Sequence, residues 1–222
     1  MLQPGLIVSC QAEAGSPLHG PQFMAAMAQA AVRGGATGIR TNGAEDIQAV
    51  KTAVAVPVIG IYKYVVMGYD VYITPDLKRV RTVVEAGADV VALDATLRPH
   101  PEGTAAEFIK LVRAEFRLPI FADVATVEEG VAAARAGADY LGTTLSGYTT
   151  YLPDMGGPDL ELVQELARAT DTPVIAEGRY WTPELVKRAF DLGAYAVVVG
   201  TAITNPQAIT KRFADALTHR IS

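Results

Sequence analysis

Gly87-Ala88-Asp89-Val90-Val91-Ala92-Leu93-Asp94 is the stretch on which the fold turns. A helical segment closes on a glycine, and the chain drops at once into an apolar run ending on a carboxylate. The same construction recurs at Gly35-Ala36-Thr37-Gly38-Ile39, Gly137-Ala138-Asp139-Tyr140-Leu141 and Gly193-Ala194-Tyr195-Ala196-Val197. The glycines lie 52, 50 and 56 residues apart. Between them a second set opens on proline: Pro4-Gly5-Leu6-Ile7-Val8, Pro57-Val58-Ile59, Pro119-Ile120-Phe121 and Pro173-Val174-Ile175. Eight apolar runs, each followed by a helix-length stretch, specify an α/β chain. The expected fold is a single-domain (β/α)8 TIM barrel spanning residues 1–222. Such barrels carry their chemistry at the C-terminal ends of the strands.

Strands are expected near 6–10, 37–40, 58–61, 90–94, 120–123, 139–143, 174–177 and 196–200. The runs are apolar throughout rather than alternating, as parallel strands covered on both faces require. Thr74-Pro75, Thr182-Pro183 and Asn205-Pro206 each read as an N-cap followed by proline at the first helical position. Thr126 and Glu129 have capping-box spacing. The four repeated glycines suit helix C-termini, where a left-handed residue closes the last turn. Residues 62–74, 98–103 and 146–158 read as longer loops on the catalytic face.

Bulk properties narrow the function. The chain has 222 residues, half of them hydrophobic, and a net charge of -5. No basic stretch invites nucleic acid. No apolar segment approaches the roughly 18 residues of a membrane span. No leader-like segment opens the chain, and a single cysteine suits a reducing cytoplasm. His19, His100 and His219 are scattered and none ends a strand, so no metal is expected. Cys10 reads as a small strand-end residue, since no histidine stands ready to activate it. No dinucleotide fingerprint follows the first strand, and no cofactor is expected.

The strand ends read in order Ser9-Cys10-Gln11, Arg40-Thr41-Asn42, Lys63, Asp94, Asp123, Thr143-Thr144, Glu177-Gly178 and Gly200-Thr201. A polar or ionisable group ends every run, in a protein with only 19% charged residues. Lys63 is a candidate general base if burial and neighbouring cations lower its pKa from about 10.4. The alternative is a loop lysine on the surface. Glu177 is a candidate proton donor or acceptor, or else a structural partner for an arginine. Asp123, and less strongly Asp94, are candidates for substrate contact. Gly178 after the seventh strand and Gly200-Thr201 after the eighth occupy the usual phosphate position of these barrels.

Longer segments make a more specific pattern. They include Ile7-Val8-Ser9-Cys10-Gln11, Gly38-Ile39-Arg40-Thr41-Asn42-Gly43, Tyr72-Ile73-Thr74-Pro75, Ala92-Leu93-Asp94-Ala95-Thr96 and Ala122-Asp123-Val124-Ala125-Thr126. Gly142-Thr143-Thr144-Leu145-Ser146-Gly147-Tyr148-Thr149, Ile175-Ala176-Glu177-Gly178 and Ala202-Ile203-Thr204-Asn205-Pro206 continue it. With these segments the chain resembles, over essentially its whole length, the bacterial N-acetylmannosamine-6-phosphate 2-epimerases of sialic acid catabolism.

The resemblance implies interconversion of N-acetylmannosamine 6-phosphate and N-acetylglucosamine 6-phosphate. It implies Lys63 as catalytic base, Glu177 as its partner, and Gln11, Arg40 and Asp123 as sugar contacts. A small-molecule sugar phosphate is the expected partner, and a homodimer the expected assembly. Two positions depart from the family pattern. Asn205 stands where members often carry a phosphate-facing arginine, and Arg179 is the candidate to supply that charge. Tyr64-Val65-Val66-Met67 replaces a common Arg-Asp stretch after the lysine. Two rival readings stay open on the residues alone. One is a Schiff-base aldolase using the strand-end lysine; the other is a non-catalytic sugar-phosphate-binding barrel.

Overall fold

The computed structural model describes residues 1–154 and 156–218. His219 and the last residues of the expected domain lie outside the described residues. Eight strands form one closed parallel barrel in sequence order. They are β1 (Gly5–Cys10), β2 (Gly38–Asn42), β3 (Val58–Ile61), β4 (Val90–Asp94), β5 (Ile120–Asp123), β6 (Tyr140–Gly142), β7 (Val174–Glu177) and β8 (Ala196–Val199). Closure is direct: Leu6 of β1 pairs with Val197 of β8. The intervening helices are α1 (Pro21–Arg33), α2 (Ala44–Ala53), α3 (Leu77–Glu85), α4 (Ala105–Glu115), α5 (Val127–Ala136), α6 (Leu160–Ala169) and α7 (Pro183–Asp191). After β8 comes one short turn, α8 (Thr201–Thr204), and then α9 (Pro206–Thr218).

The strands alternate between two buried layers, as a pleat of period two demands. Val8, Ile39, Val58, Val91, Ile120, Leu141, Val174 and Val197 pack outward against the helices. Ile7, Ile59, Ile61, Val90, Ala92, Phe121, Tyr140, Ile175, Ala196 and Val198 fill the barrel interior. Leu2 plugs the N-terminal end, where its N–H donates to the Tyr140 hydroxyl at 3.0 Å and its carbonyl accepts from Tyr195 at 2.9 Å. The opposite end has no such plug. There the inward register passes from apolar residues to Arg40, Asp123 and Glu177, each two residues beyond an interior position.

Most local signals operate as read. Gly35, Gly87, Gly137 and Gly193 all have positive φ, from 89 to 106°, so a side chain at any of them would be strained. Thr182 caps α7, Asn205 caps α9 through the Ala208 N–H, and Thr126 with Glu129 forms a complete capping box. Thr74-Pro75 differs. Asp76 caps α3, accepting from the Arg79 N–H at 2.8 Å. Thr74 instead turns inward with φ 48°, and its hydroxyl accepts from Tyr62 and donates to the Ala92 carbonyl. A buried tie between the β3 and β4 ends outcompetes the local cap.

Candidate active site

The open end of the barrel holds a cavity of about 370 Å3. Gln11, Arg40, Lys63, Glu177, Gly178, Arg179, Gly200 and Thr201 all line it. Asp123 does not; it lies fully buried beneath Arg40.

Arg40 is the organising charge. It is 1% exposed and donates to both oxygens of Asp123, at 2.9 and 2.8 Å. The same guanidinium donates to Glu177 Oε2 at 3.0 Å and lies 5.0 Å from the centre of the Phe121 ring. Burial opposes its charge, but Asp123 and Glu177 outweigh burial and hold its pKa above the ordinary value. Its Nε–H is buried without a partner among the described residues. One donor is therefore still unspent at the base of the mouth.

Glu177 ends β7 and takes a second bond from the Thr144 hydroxyl at 3.1 Å. The neighbouring Thr143 hydroxyl accepts from the Glu177 N–H and donates to its carbonyl, both at 3.0 Å, which fixes the backbone of the strand end. Burial pushes the Glu177 carboxyl above the usual carboxylate range; Arg40 opposes this and Asp123 adds to it.

Lys63 sits one residue past Tyr62, beyond the end of β3. Its backbone N–H donates to Asn42 Oδ1 at 2.7 Å, and it bridges Ile73 in antiparallel fashion. The segment after β3 thus folds back on itself, with Tyr64 N–H bonded to the Tyr72 carbonyl and Thr74 N–H to the Tyr62 carbonyl. Lys63 is open to the mouth, yet protein crowds its amine. Burial lowers its pKa and the Arg40 charge lowers it further, against the opposing pull of Glu177 and Asp123. Gln11 donates to Ser9 Oγ at 2.8 Å, leaving its own side-chain oxygen unpartnered.

The other end of the cavity is built from the β7 and β8 turns. Gly178 has φ 113° and Arg179 φ 60°. The Arg179 guanidinium donates to Gly157 O at 2.6 Å and to Ser146 O at 2.8 Å. Its Nη1 has no hydrogen-bond partner among the described residues and lies 3.8 Å from Asp154, as an ion pair.

A family described as "Putative N-acetylmannosamine-6-phosphate epimerase" matches residues 24–219. The chain belongs to that family. A relative of the family's 2-epimerase name from Caldanaerobacter subterraneus subsp. tengcongensis is 53% identical over 221 residues, 99% of this chain and 93% of its own. One from Cutibacterium acnes is 51% identical over 216 residues, 96% of this chain and 93% of its own. The solved N-acetylmannosamine-6-phosphate 2-epimerase of Clostridium perfringens superposes with a TM-score of 0.91 at 45% identity, covering 95% of this chain and 92% of its own. A thiamine phosphate pyrophosphorylase from Pyrococcus furiosus, at 20% identity and TM-score 0.61, shares the fold alone.

Asn42 and Thr144 stood among the strand-end polar groups, but nothing local tied them to Lys63 and Glu177. Tyr72 and Tyr148 line the cavity; both fall within quoted family segments, yet neither stands out there as a site residue. Asp94 moves the other way: it is fully buried outside the cavity, accepting from Thr96 at 2.7 Å and from Arg98 at 2.6 Å. His100 is buried between the Pro75 and Asp94 carbonyls and stacks on Phe108. Burial pushes the Cys10 thiol up to about 12, far from thiolate chemistry.

Proposed function

We propose that this chain inverts C2 of N-acetylmannosamine 6-phosphate to give N-acetylglucosamine 6-phosphate, as an isomerase of amino-sugar and sialic acid catabolism. The observation that carries the reading is Lys63, an amine with a lowered pKa in the same cavity as the Arg40–Glu177 pair. Carbon 2 of the open-chain sugar lies beside the C1 aldehyde, so its hydrogen is acidic. Neutral Lys63 removes that proton and leaves an enediolate-like anion. Arg40, with its unspent Nε–H, offsets charge on O1. Return of a proton to the opposite face of C2 completes the inversion. Glu177, whose carboxyl holds a proton more readily than usual, delivers it or moves it through a substrate hydroxyl. Asp123 acts through Arg40, which it holds in place.

The phosphate is bound by the β7 and β8 turns. Glycine at 178 and 200 admits close backbone approach, and the first N–H groups of α8 precede any acceptor within that turn. Arg179, whose Nη1 makes only a 3.8 Å ion pair with Asp154, adds charge.

Turnover in D2O tests the chemistry. Solvent deuterium should appear at C2 of the product; product free of label would overturn C2 deprotonation by a solvent-exchanging base. Covalent trapping of Lys63 by borohydride with substrate would instead indicate a Schiff-base lyase.

The reading extends to a homodimer in the cytoplasm. Residues 211–217 of α9 are exposed, and Phe213 and Leu217 present apolar surface that a second copy would cover. No helix among the described residues is long and apolar enough to cross a membrane. Sedimentation of the purified protein should give twice the chain mass.

A further inference from the structure

The β6-to-α6 connection, residues 146–159, is long for a compact barrel, and such loops commonly carry function. It is tied down from two sides. On one side, Arg179 grips both ends of the segment, through the Ser146 and Gly157 carbonyls, and lies 4.8 Å from the centre of the Tyr148 ring. Tyr148 lines the cavity together with Gly178 and Gly200. On the other side, the Tyr151 hydroxyl donates to Glu129 Oε1. Tyr151 is not part of the cavity wall.

Glu129 is an unusual anchor. It is a carboxylate with 3% exposure at the first turn of α5. Its Oε2 accepts the Ala125 and Thr126 N–H groups at 2.7 and 3.0 Å, and its Oε1 accepts the Leu97 N–H at 2.8 Å. The segments that follow β4 and β5 are thereby fixed to one carboxylate. Tyr151 hangs the β6 segment on the same group. Arg179 meanwhile holds a left-handed backbone, which is strained for a non-glycine residue. Its two side-chain bonds to the segment compensate that strain.

We infer that the described residues of the β6-to-α6 connection, 146–154 with 156 and 157, form a pre-tied wall of the sugar-phosphate cavity, and that Tyr151 is a positioning residue for it. Acting through Glu129, Tyr151 sets the place of Tyr148 and of the two carbonyls that orient Arg179. The wall rests on the epimerase reading for its substrate, but its tethering does not. Binding of the phosphorylated sugar, rather than the proton transfer at C2, is the step this tie serves.

Tyr151→Phe removes one hydroxyl and keeps the ring. KM for N-acetylmannosamine 6-phosphate should rise about 3- to 10-fold with kcat within about twofold, the loss of one hydrogen bond. In the substrate-free protein, amide exchange over residues 146–157 should quicken. Unchanged KM and unchanged exchange would overturn the inference, as would a fall in kcat at constant KM. The exchange comparison needs no turnover, so it stands even if the wild-type protein fails to epimerise this sugar. Should Tyr151→Phe not fold, wild-type exchange with and without the phosphorylated sugar decides: protection of 146–157 supports the wall, and no protection overturns it.

Discussion

The backbone N–H of Lys63 is held by the side-chain oxygen of Asn42 at 2.7 Å, across the tops of two neighbouring strands. The bond decides where the lysine leaves the barrel. Asn42→Ala should lower kcat about 10-fold, because small misplacement of a base is costly. Asn42→Asp keeps the acceptor and should recover position. Its added negative charge would favour the ammonium form and move the rising limb of the pH–rate profile upward. Steady-state kinetics across pH checks both.

Lys63 should dominate that limb. Its pKa is lowered, so activity should rise with pH at a midpoint below the ordinary lysine value. Lys63→Ala should lose at least about 10²-fold in kcat. The linkage to stability has a definite sign. A lysine whose folded pKa is depressed binds its proton less well folded than unfolded. Its contribution therefore grows as pH rises from the folded value toward the unfolded one, and Lys63→Met should flatten that rise in denaturant titrations.

Glu177 should trade stability for activity. Its folded pKa is raised by burial, so ionising it costs the fold free energy as pH rises from the unfolded value through the folded one. Glu177→Gln keeps an oxygen for Arg40 and Thr144 and removes that cost. Turnover should fall by at least about 10²-fold while the melting temperature at neutral pH holds or rises. A large loss of melting temperature would mark Glu177 as a structural partner of Arg40.

Asp123 carries the opposite expectation. Both of its oxygens hold a fully buried guanidinium. Asp123→Ala leaves that charge with Glu177 alone and should destabilise the fold by about 3–5 kcal/mol. Urea denaturation measures the loss, and Asp123→Asn should restore part of it.

Gly142 tests the floor of the site. A Cβ added there would lie 2.1 Å from the Phe121 ring, which supports Arg40 from below. Gly142→Ala should destabilise by about 1–3 kcal/mol and reduce activity as Arg40 shifts. Phe121→Leu in the same chain should relieve the clash, and recovery of stability in the double variant checks the contact.

Much of this molecule was legible in the residues themselves. Eight apolar runs and four helix-ending glycines determine the barrel, because strand burial and left-handed helix closure depend on short stretches of chain. The pleat then decides which strand-end residues face inward, so Arg40 and Glu177 follow from position, whereas Lys63, past the end of β3, also depends on its bond to Asn42. Family segments such as Ile175-Ala176-Glu177-Gly178 carry the substrate class. What required tertiary structure is every relation between strand ends. Asp123 reaches the site only through Arg40, 83 residues away in sequence. Thr74 has the local signature of a cap, but its hydroxyl is satisfied by Tyr62 and Ala92, residues 12 and 18 positions away. Asn42 and Tyr151 are ordinary polar residues in sequence. They gain roles only where barrel closure brings their partners within hydrogen-bonding reach, and that reach of about 3 Å is a property of three-dimensional distance, not of spacing along the chain.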